Sequence, residues 1–206
     1  MKKFLSTISL VVLMVVIVVP KLVFAVSLDR GPQGSVEYLL GEIRQIKADK
    51  NQTIKAENQK HSQLALSQLN VAQISKKALG KYWSQRSDSE KKMFQNLLGE
   101  LFIHVAFPSS AKFFAELDLI YGKTKAEKQR MVVPLTVVHE KEGEVGIDFR
   151  LTQTKGQWQV VDVVLDGVSM RNNLRNQFYK VISKKDFNQF RFSQELNIGN
   201  ISNCYS

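Results

Sequence analysis

The spacing of apolar residues changes halfway along the chain, and this change constrains the fold more than any other feature. Between residues 35 and 105, apolar side chains recur at the spacing of amphipathic helices. Between residues 133 and 165, they alternate with polar side chains, which is typical of strands with one buried face. Helices followed by antiparallel strands and a closing helix predict an α+β fold class.

The first half is predicted to contain three helices. One covers Ser35 to Lys47 and another covers Val71 to Leu79. The third begins at a capping box formed by Ser87 and Glu90, and Pro108 should end or bend it. The polar stretch from residue 49 to 63 is predicted to be a solvated helix face or a connector.

The second half is predicted to form a small sheet. A first strand carries Val133, Leu135 and Val137, and a second carries Ile147, Phe149 and Leu151, with a hairpin turn between them. Trp158 to Leu165 should form a third strand after the turn Lys155-Gly156, and Asp118 to Gly122 an edge strand. Ser169 can cap a last amphipathic helix, and a shorter helical piece is expected at Asp186 to Leu196.

The N-terminus has the pattern of a secretory signal peptide. Lys2 and Lys3 precede an apolar run from Leu10 to Val19, and the small-residue end Val23-Phe24-Ala25 follows. We expect cleavage after Ala25, which leaves residues 26–206 as a single exported domain. Three lysines and no acid leave with residues 1–25, so the net charge falls from +10 to +7. An exported basic protein is expected to meet an anionic membrane surface rather than nucleic acid.

No catalytic, metal or cofactor constellation is predicted. His61, His104 and His139 lack metal-ligand spacing, and neither a G-x-S-x-G elbow nor a Gly-rich phosphate loop occurs. The lone Cys204 belongs to the C-terminal tail. An enzyme remains an alternative, in which Asp148 or Asp162 acts as a base on an apolar substrate. A structural adaptor with a solid core is another.

Several motifs resemble one known family over roughly residues 35–196. Leu79–Trp83 begins the match, Trp158–Val163 is similar to a Trp-x-Val-x-Asp-Val strand, and Asp166–Met170 resembles an acid-Gly-Val-Ser helix opening. Asn173, Arg175 and Phe178 follow that opening at the family's offsets. The chain is identified on these motifs as similar to the MlaC family of periplasmic phospholipid carriers. Asn70, Ala106 and Leu174 depart from the family's usual residues.

The resemblance implies a twisted antiparallel sheet of about four strands wrapped by helices and enclosing an apolar cavity for the acyl chains. It also implies the periplasm, phospholipid as ligand, and two partners: an inner-membrane ABC transporter with an MCE-type lipid-binding component and an outer-membrane lipoprotein complex. On this hypothesis the alternating strand residues and the helix stripes line the cavity. The predicted lipid-binding residues are Phe94, Leu97, Leu98, Leu101, Val133, Leu135, Val137, Ile147, Phe149, Leu151, Val161, Val163, Leu165, Met170 and Phe178. On the third strand, Trp158, Val160 and Val164 form the opposite set.

Overall fold

A computed structural model describes residues 30–48, 51–139 and 143–184. The predicted signal peptide, the helical piece at 186–196 and Cys204 lie outside these residues. The elements that the structure describes are six α-helices, two short helical segments of other types and six strands. The helices are α1 (Gly31–Arg44), α2 (Gln52–Ser67), α3 (Val71–Leu79), α4 (Asp88–Leu101), α5 (Phe107–Phe114) and α6 (Met170–Lys184). The strands are β1 (Leu119–Tyr121), β2 (Lys125–Glu127), β3 (Arg130–His139), β4 (Gly143–Thr154), β5 (Gln157–Leu165) and β6 (Val168–Ser169).

The predicted α+β fold is confirmed. The strands form one antiparallel sheet in the order β1, β3, β4, β5 and β6, and β2 also pairs with β3. The short strands β2 and β6 are additional to the predicted four, because two or three residues are too few to show an alternating pattern. Lys155 and Gly156 both have positive φ in the turn between β4 and β5, as a tight hairpin turn requires.

Local sequence explains where the helices begin. Asn51 and Asn70 accept backbone amides at the starts of α2 and α3. Ser87 and Glu90 form the predicted capping box of α4. Ser169 accepts the amide of Asn172 and so caps α6, as predicted.

The long helix loses its regular α-helical geometry just before Pro108. A π-helical turn (Phe102–Ala106) follows α4, and α5 continues directly from it. Pro108 cannot donate a backbone hydrogen bond to the preceding turn and its ring crowds that turn, which disfavours regular α-helix there. The helical path is therefore interrupted rather than ended, and residues 107–114 supply a further helix.

The core lies between the helices and one face of the sheet. Val133, Leu135 and Val137 of β3 and Phe149 and Leu151 of β4 are all buried, as their alternation predicts. The backbone of Val160 joins the two halves of the chain, because its N–H donates to Gln68 (2.8 Å) and its C=O accepts from Asn70 (2.9 Å). This junction forms an isolated parallel bridge between Leu69 and Val160 beside the antiparallel sheet.

Strand β5 contains a bulge that shifts its alternation. Arg150 lies opposite Asp162, whereas the next residue of β4, Leu151, lies opposite Val160, so Val161 is the extra residue. As a result Val160 faces the helices before the bulge, and Val163 and Leu165 face them after it. Residues from both alternating sets of β5 therefore face the helices.

Candidate functional site

An apolar pocket of about 450 Å³ lies between the sheet and the helices. This volume falls in the range of about 300 to 1,000 Å³ that is usual for small-molecule sites. One wall comes from the sheet and includes Ile147, Phe149, Val160 and Val163. Exposed Ser109 also lines the pocket, which places an opening beside α5.

The helical wall comes mainly from two regions. Leu39, Leu40 and Ile43 line it from α1, where they are buried. The π-helical turn and α5 contribute a second group, whose members are Phe102, Ala106, Phe107, Ser109, Ser110, Phe113 and Phe114. Phe102 stacks on Phe107 with ring centroids 5.9 Å apart, and Phe113 meets Phe114 edge to face at 4.9 Å. These two ring pairs make this part of the wall largely aromatic.

Six of the predicted lipid-binding residues line this pocket. They are Ile147, Phe149, Val161, Val163, Leu165 and Met170. The other nine are absent from its wall and pack elsewhere in the core or at its margin: Phe94, Leu97, Leu98, Leu101, Val133, Leu135, Val137, Leu151 and Phe178. Phe94 and Phe178, for example, pack edge to face on each other with centroids 5.1 Å apart.

Sequence reasoning missed the contribution of α1 and of residues 102–114. The stripe of α1 is visible in the sequence, but periodicity does not distinguish a core face from a pocket face. The segment 102–114 carries a signal of its own, because four of its thirteen residues are phenylalanine. Its irregular helical geometry hides that signal from a search at the regular helical period.

The polar part of the pocket wall consists of Asp162, Arg171, Ser109 and Ser110. The Asp162 side chain is fully buried, and its oxygens accept from the Ser169 hydroxyl (2.8 and 3.0 Å) and the Arg171 amide (3.2 Å). The same carboxylate lies 3.4 Å from Nη2 of Arg171 and 3.7 Å from Nη1 of Arg150. Asp162 thus joins the sheet to the start of α6.

Arg171 is an unusual group for an apolar pocket. Its side chain is 12% exposed, and its Nη1 is buried without a hydrogen-bond partner in the described part of the chain. Burial lowers the pKa of Arg171; the charge of Asp162 opposes this, and the charges of Arg130, Arg150 and Arg175 add to it. The guanidinium nevertheless stays protonated, because arginine does not lose its proton in proteins.

The remaining titratable groups show no assembled catalytic or metal site in the described residues. Asp162 is occupied by its partners, His61 pairs with Glu42 (2.6 Å) and His104 with Glu100 (3.0 Å). No group of three or more His, Cys, Asp and Glu side chains converges within residues 30–48, 51–139 and 143–184. None of the helices described there is both long enough and apolar enough to cross a membrane.

Comparisons with known proteins agree with this architecture. The sequence profile described as MlaC protein matches residues 33–191. A phospholipid-binding protein from Ralstonia solanacearum, solved in complex with a phospholipid, has a similar fold, with a TM-score of 0.58 and 23% sequence identity. The similarity covers 74% of this chain and 85% of that protein. No curated protein matches this chain.

Proposed function

The chain belongs to the MlaC family, and from that premise we propose that it is a periplasmic carrier that moves a phospholipid between the inner and outer membranes. The observation that carries this proposal is the apolar pocket between α1, α5 and the sheet. The Ralstonia solanacearum protein, which shares the fold, was solved with a phospholipid bound. A pocket with an aromatic and aliphatic wall suits acyl chains.

The energetics explain why such a carrier would be needed. Moving one CH₂ group out of water is favourable by about 0.8 kcal/mol. Exposing two acyl chains of about 15 carbons each to water therefore costs on the order of 20 kcal/mol. An apolar pocket replaces the bilayer environment with a similar one, which makes the exchange nearly balanced. The carrier then needs no ATP, and direction comes from its partners. By family these are an inner-membrane ABC transporter with its MCE component and an outer-membrane lipoprotein complex.

The charge distribution supports a transient contact with an anionic membrane surface. Residues 71–93 and 170–184 contain ten basic side chains and two acids. Five lysines there are exposed and form no ion pair with a described carboxylate: Lys76, Lys77, Lys81, Lys92 and Lys180. We call these five the lysine cluster. Each lysine near an anionic bilayer contributes about 1 kcal/mol of attraction.

The alternatives make different predictions about the pocket. A structural adaptor would have a solid core, and the apolar pocket of about 450 Å³ supports the carrier instead. An enzyme would need a free acid or base at the pocket, and Asp162 is already held by Ser169, Arg150 and Arg171. Asp148 is not part of the pocket wall.

Lipid analysis of the purified protein tests the proposal. We expect residues 26–206, recovered from the periplasm, to carry phospholipid that native mass spectrometry detects. Ala106 lines the pocket, so Ala106→Trp should reduce the bound lipid while the protein still melts cooperatively. Ala56→Trp on exposed α2 is the matched control and should retain the lipid. A wild-type protein that neither contains nor takes up lipid from vesicles would contradict the proposal.

A further inference from the structure

Arg171 of the pocket wall has more positive charge around it than the carboxylates in contact there neutralise. Asp162 lies between the guanidinium groups of Arg150 and Arg171, so one carboxylate serves two cations. Arg130 and Arg175 are close enough for their charges to act on Arg171. Glu127 is the further acid in contact, 3.4 Å from Arg150, and it is half exposed. Two arginines therefore share these two carboxylates, and two more add positive charge nearby.

The hydrogen-bonding capacity of Arg171 is also incompletely used. Its Nη1 is buried and has no partner among the described residues. Asp162 already accepts from the Ser169 hydroxyl and from the Arg171 backbone amide, so its oxygens are largely occupied. Buried polar groups are nearly always hydrogen-bonded, so this donor of a pocket-lining residue has capacity for one more acceptor, which a ligand could supply.

A phosphate group has the chemistry that this position lacks. It supplies negative charge and several acceptor oxygens, and the planar guanidinium binds such oxygens through two parallel hydrogen bonds. The rest of the wall is almost wholly apolar, which suits a molecule that joins one anionic group to long hydrocarbon chains.

We propose that Arg171 binds the phosphate of the carried lipid, so that the protein selects phosphate-bearing lipids over neutral lipids with the same acyl chains. This inference rests on the proposed carrier function and adds its ligand selectivity. Asp162 is the positioning residue, because it holds the guanidinium at the pocket wall. The groups attached beyond the phosphate would contribute little to the selection, because Arg171 recognises the phosphate that all phospholipids share.

Competition between two lipids tests the proposal. The purified full-length mature protein is loaded from vesicles containing equal amounts of a phosphatidylglycerol and a diacylglycerol with identical chains, and the bound lipids are counted by mass spectrometry. We expect wild type to prefer the phospholipid. Arg171→Met keeps an unbranched stem but replaces the charged guanidinium with an apolar group. It should lower the preference at least about tenfold, as the loss of a charge-assisted hydrogen bond predicts.

Two further variants separate recognition from folding. Arg171→Lys keeps the charge without the planar donor geometry and should have an intermediate preference. Arg30→Met removes an exposed arginine that stacks on Tyr38 away from the pocket, and should leave the preference unchanged. Preferences are compared per folded molecule, as judged by melting. An Arg171→Met protein with the wild-type preference, or a wild type that loads both lipids equally, would overturn the inference.

Competition with inorganic phosphate tests whether the site binds free phosphate rather than the phosphate of a lipid. We expect millimolar phosphate to leave phospholipid loading unchanged, because it lacks acyl chains to fill the pocket. If it displaces the lipid headgroup and abolishes the preference, the site belongs to free phosphate and the inference is wrong. A wild type that takes up neither lipid would instead refute the carrier function itself.

Discussion

At the scale of single residues, Asp162 combines structural and site roles. It is fully buried, it accepts from Ser169 at the start of α6, and it lies between two guanidinium groups. A buried carboxylate with this many partners cannot be removed without leaving cations uncompensated. The sequence predicted Ser169 as the cap of α6, and its hydrogen bonds with Asp162 and with the amide of Asn172 agree with that prediction.

Asp162→Asn should destabilise the protein by about 3 kcal/mol, because it removes the buried carboxylate that compensates Arg171 and leaves Arg150 with the half-exposed Glu127 alone. Urea denaturation measures this as a lower transition midpoint with an unchanged slope. Asp148→Asn, on the neighbouring strand and without an ion pair among the described residues, should change stability by no more than about 0.5 kcal/mol. Equal losses in the two variants would show that the charges around Asp162 contribute nothing specific.

A second residue-scale prediction concerns pH. The Ser87 amide donates to the Glu90 carboxylate (2.7 Å), and this bond, followed by the Ser87 hydroxyl, lowers the pKa of Glu90 from its usual 4.5. The ionised carboxylate therefore stabilises the fold above the usual pKa, and this contribution is lost as the pH falls through the lowered value. Wild type should melt above Glu90→Gln near neutral pH, and the gap should close in acid. A gap independent of pH would contradict this.

At the scale of elements, regular periodicity predicted the sheet well and the irregular segments poorly. The alternation of β3 and β4 identified the buried faces correctly, since Val133, Leu135 and Phe149 are all buried. On β5 it left two sets open, and the extra residue Val161 moves the inward set from one parity to the other, so that Val160 lines the pocket together with the predicted Val163 and Leu165. It failed at residues 102–106, where the turn contains one residue more than an α-helical turn. Both irregularities lie on the pocket wall, so the pocket was the least predictable part of the molecule.

The π-helical turn leads to a prediction about length. Because an i to i+5 turn holds one additional residue, deleting exposed His104 should restore a regular helix while α5 keeps its orientation. Deleting exposed Asn96 from regular α4 should instead rotate everything after it by about 100° and misplace the pocket wall. We expect the His104 deletion to melt cooperatively and the Asn96 deletion to unfold. Circular dichroism melting would refute this if both deletions behaved alike.

At the scale of the whole molecule, charge is distributed unevenly. The lysine cluster lies on α3, α4, α6 and the turn after α3, and α3 packs against both α4 and α6. Two large apolar side chains on these helices are exposed, Met93 on α4 and Val181 on α6, at 41% each. By its spacing Val181 belongs to the apolar stripe of α6, yet this part of the stripe is not covered. Cations beside exposed apolar groups are typical of a surface that touches a bilayer.

Binding to vesicles should therefore depend on salt and on the lysine cluster. We expect the protein to sediment with vesicles of anionic lipid at low ionic strength and to be released as salt shortens the screening length. Replacing Lys76, Lys77 and Lys180 together with Glu should abolish the association. The same change at exposed Lys47, Lys55 and Lys60, which lie outside the lysine cluster, alters net charge equally and should have a smaller effect. Equal effects would indicate that net charge alone is responsible.

The parallel bridge between Leu69 and Val160 has a consequence for the time course of synthesis. Its two strands of backbone are separated by about 90 residues, so at roughly 5 to 20 residues per second the second partner emerges about 5 to 18 seconds after the first. During that interval the N-terminal helices expose the apolar stripes that the sheet will later cover. A chain that is still being synthesised therefore cannot bury these stripes against the sheet until its last third is available.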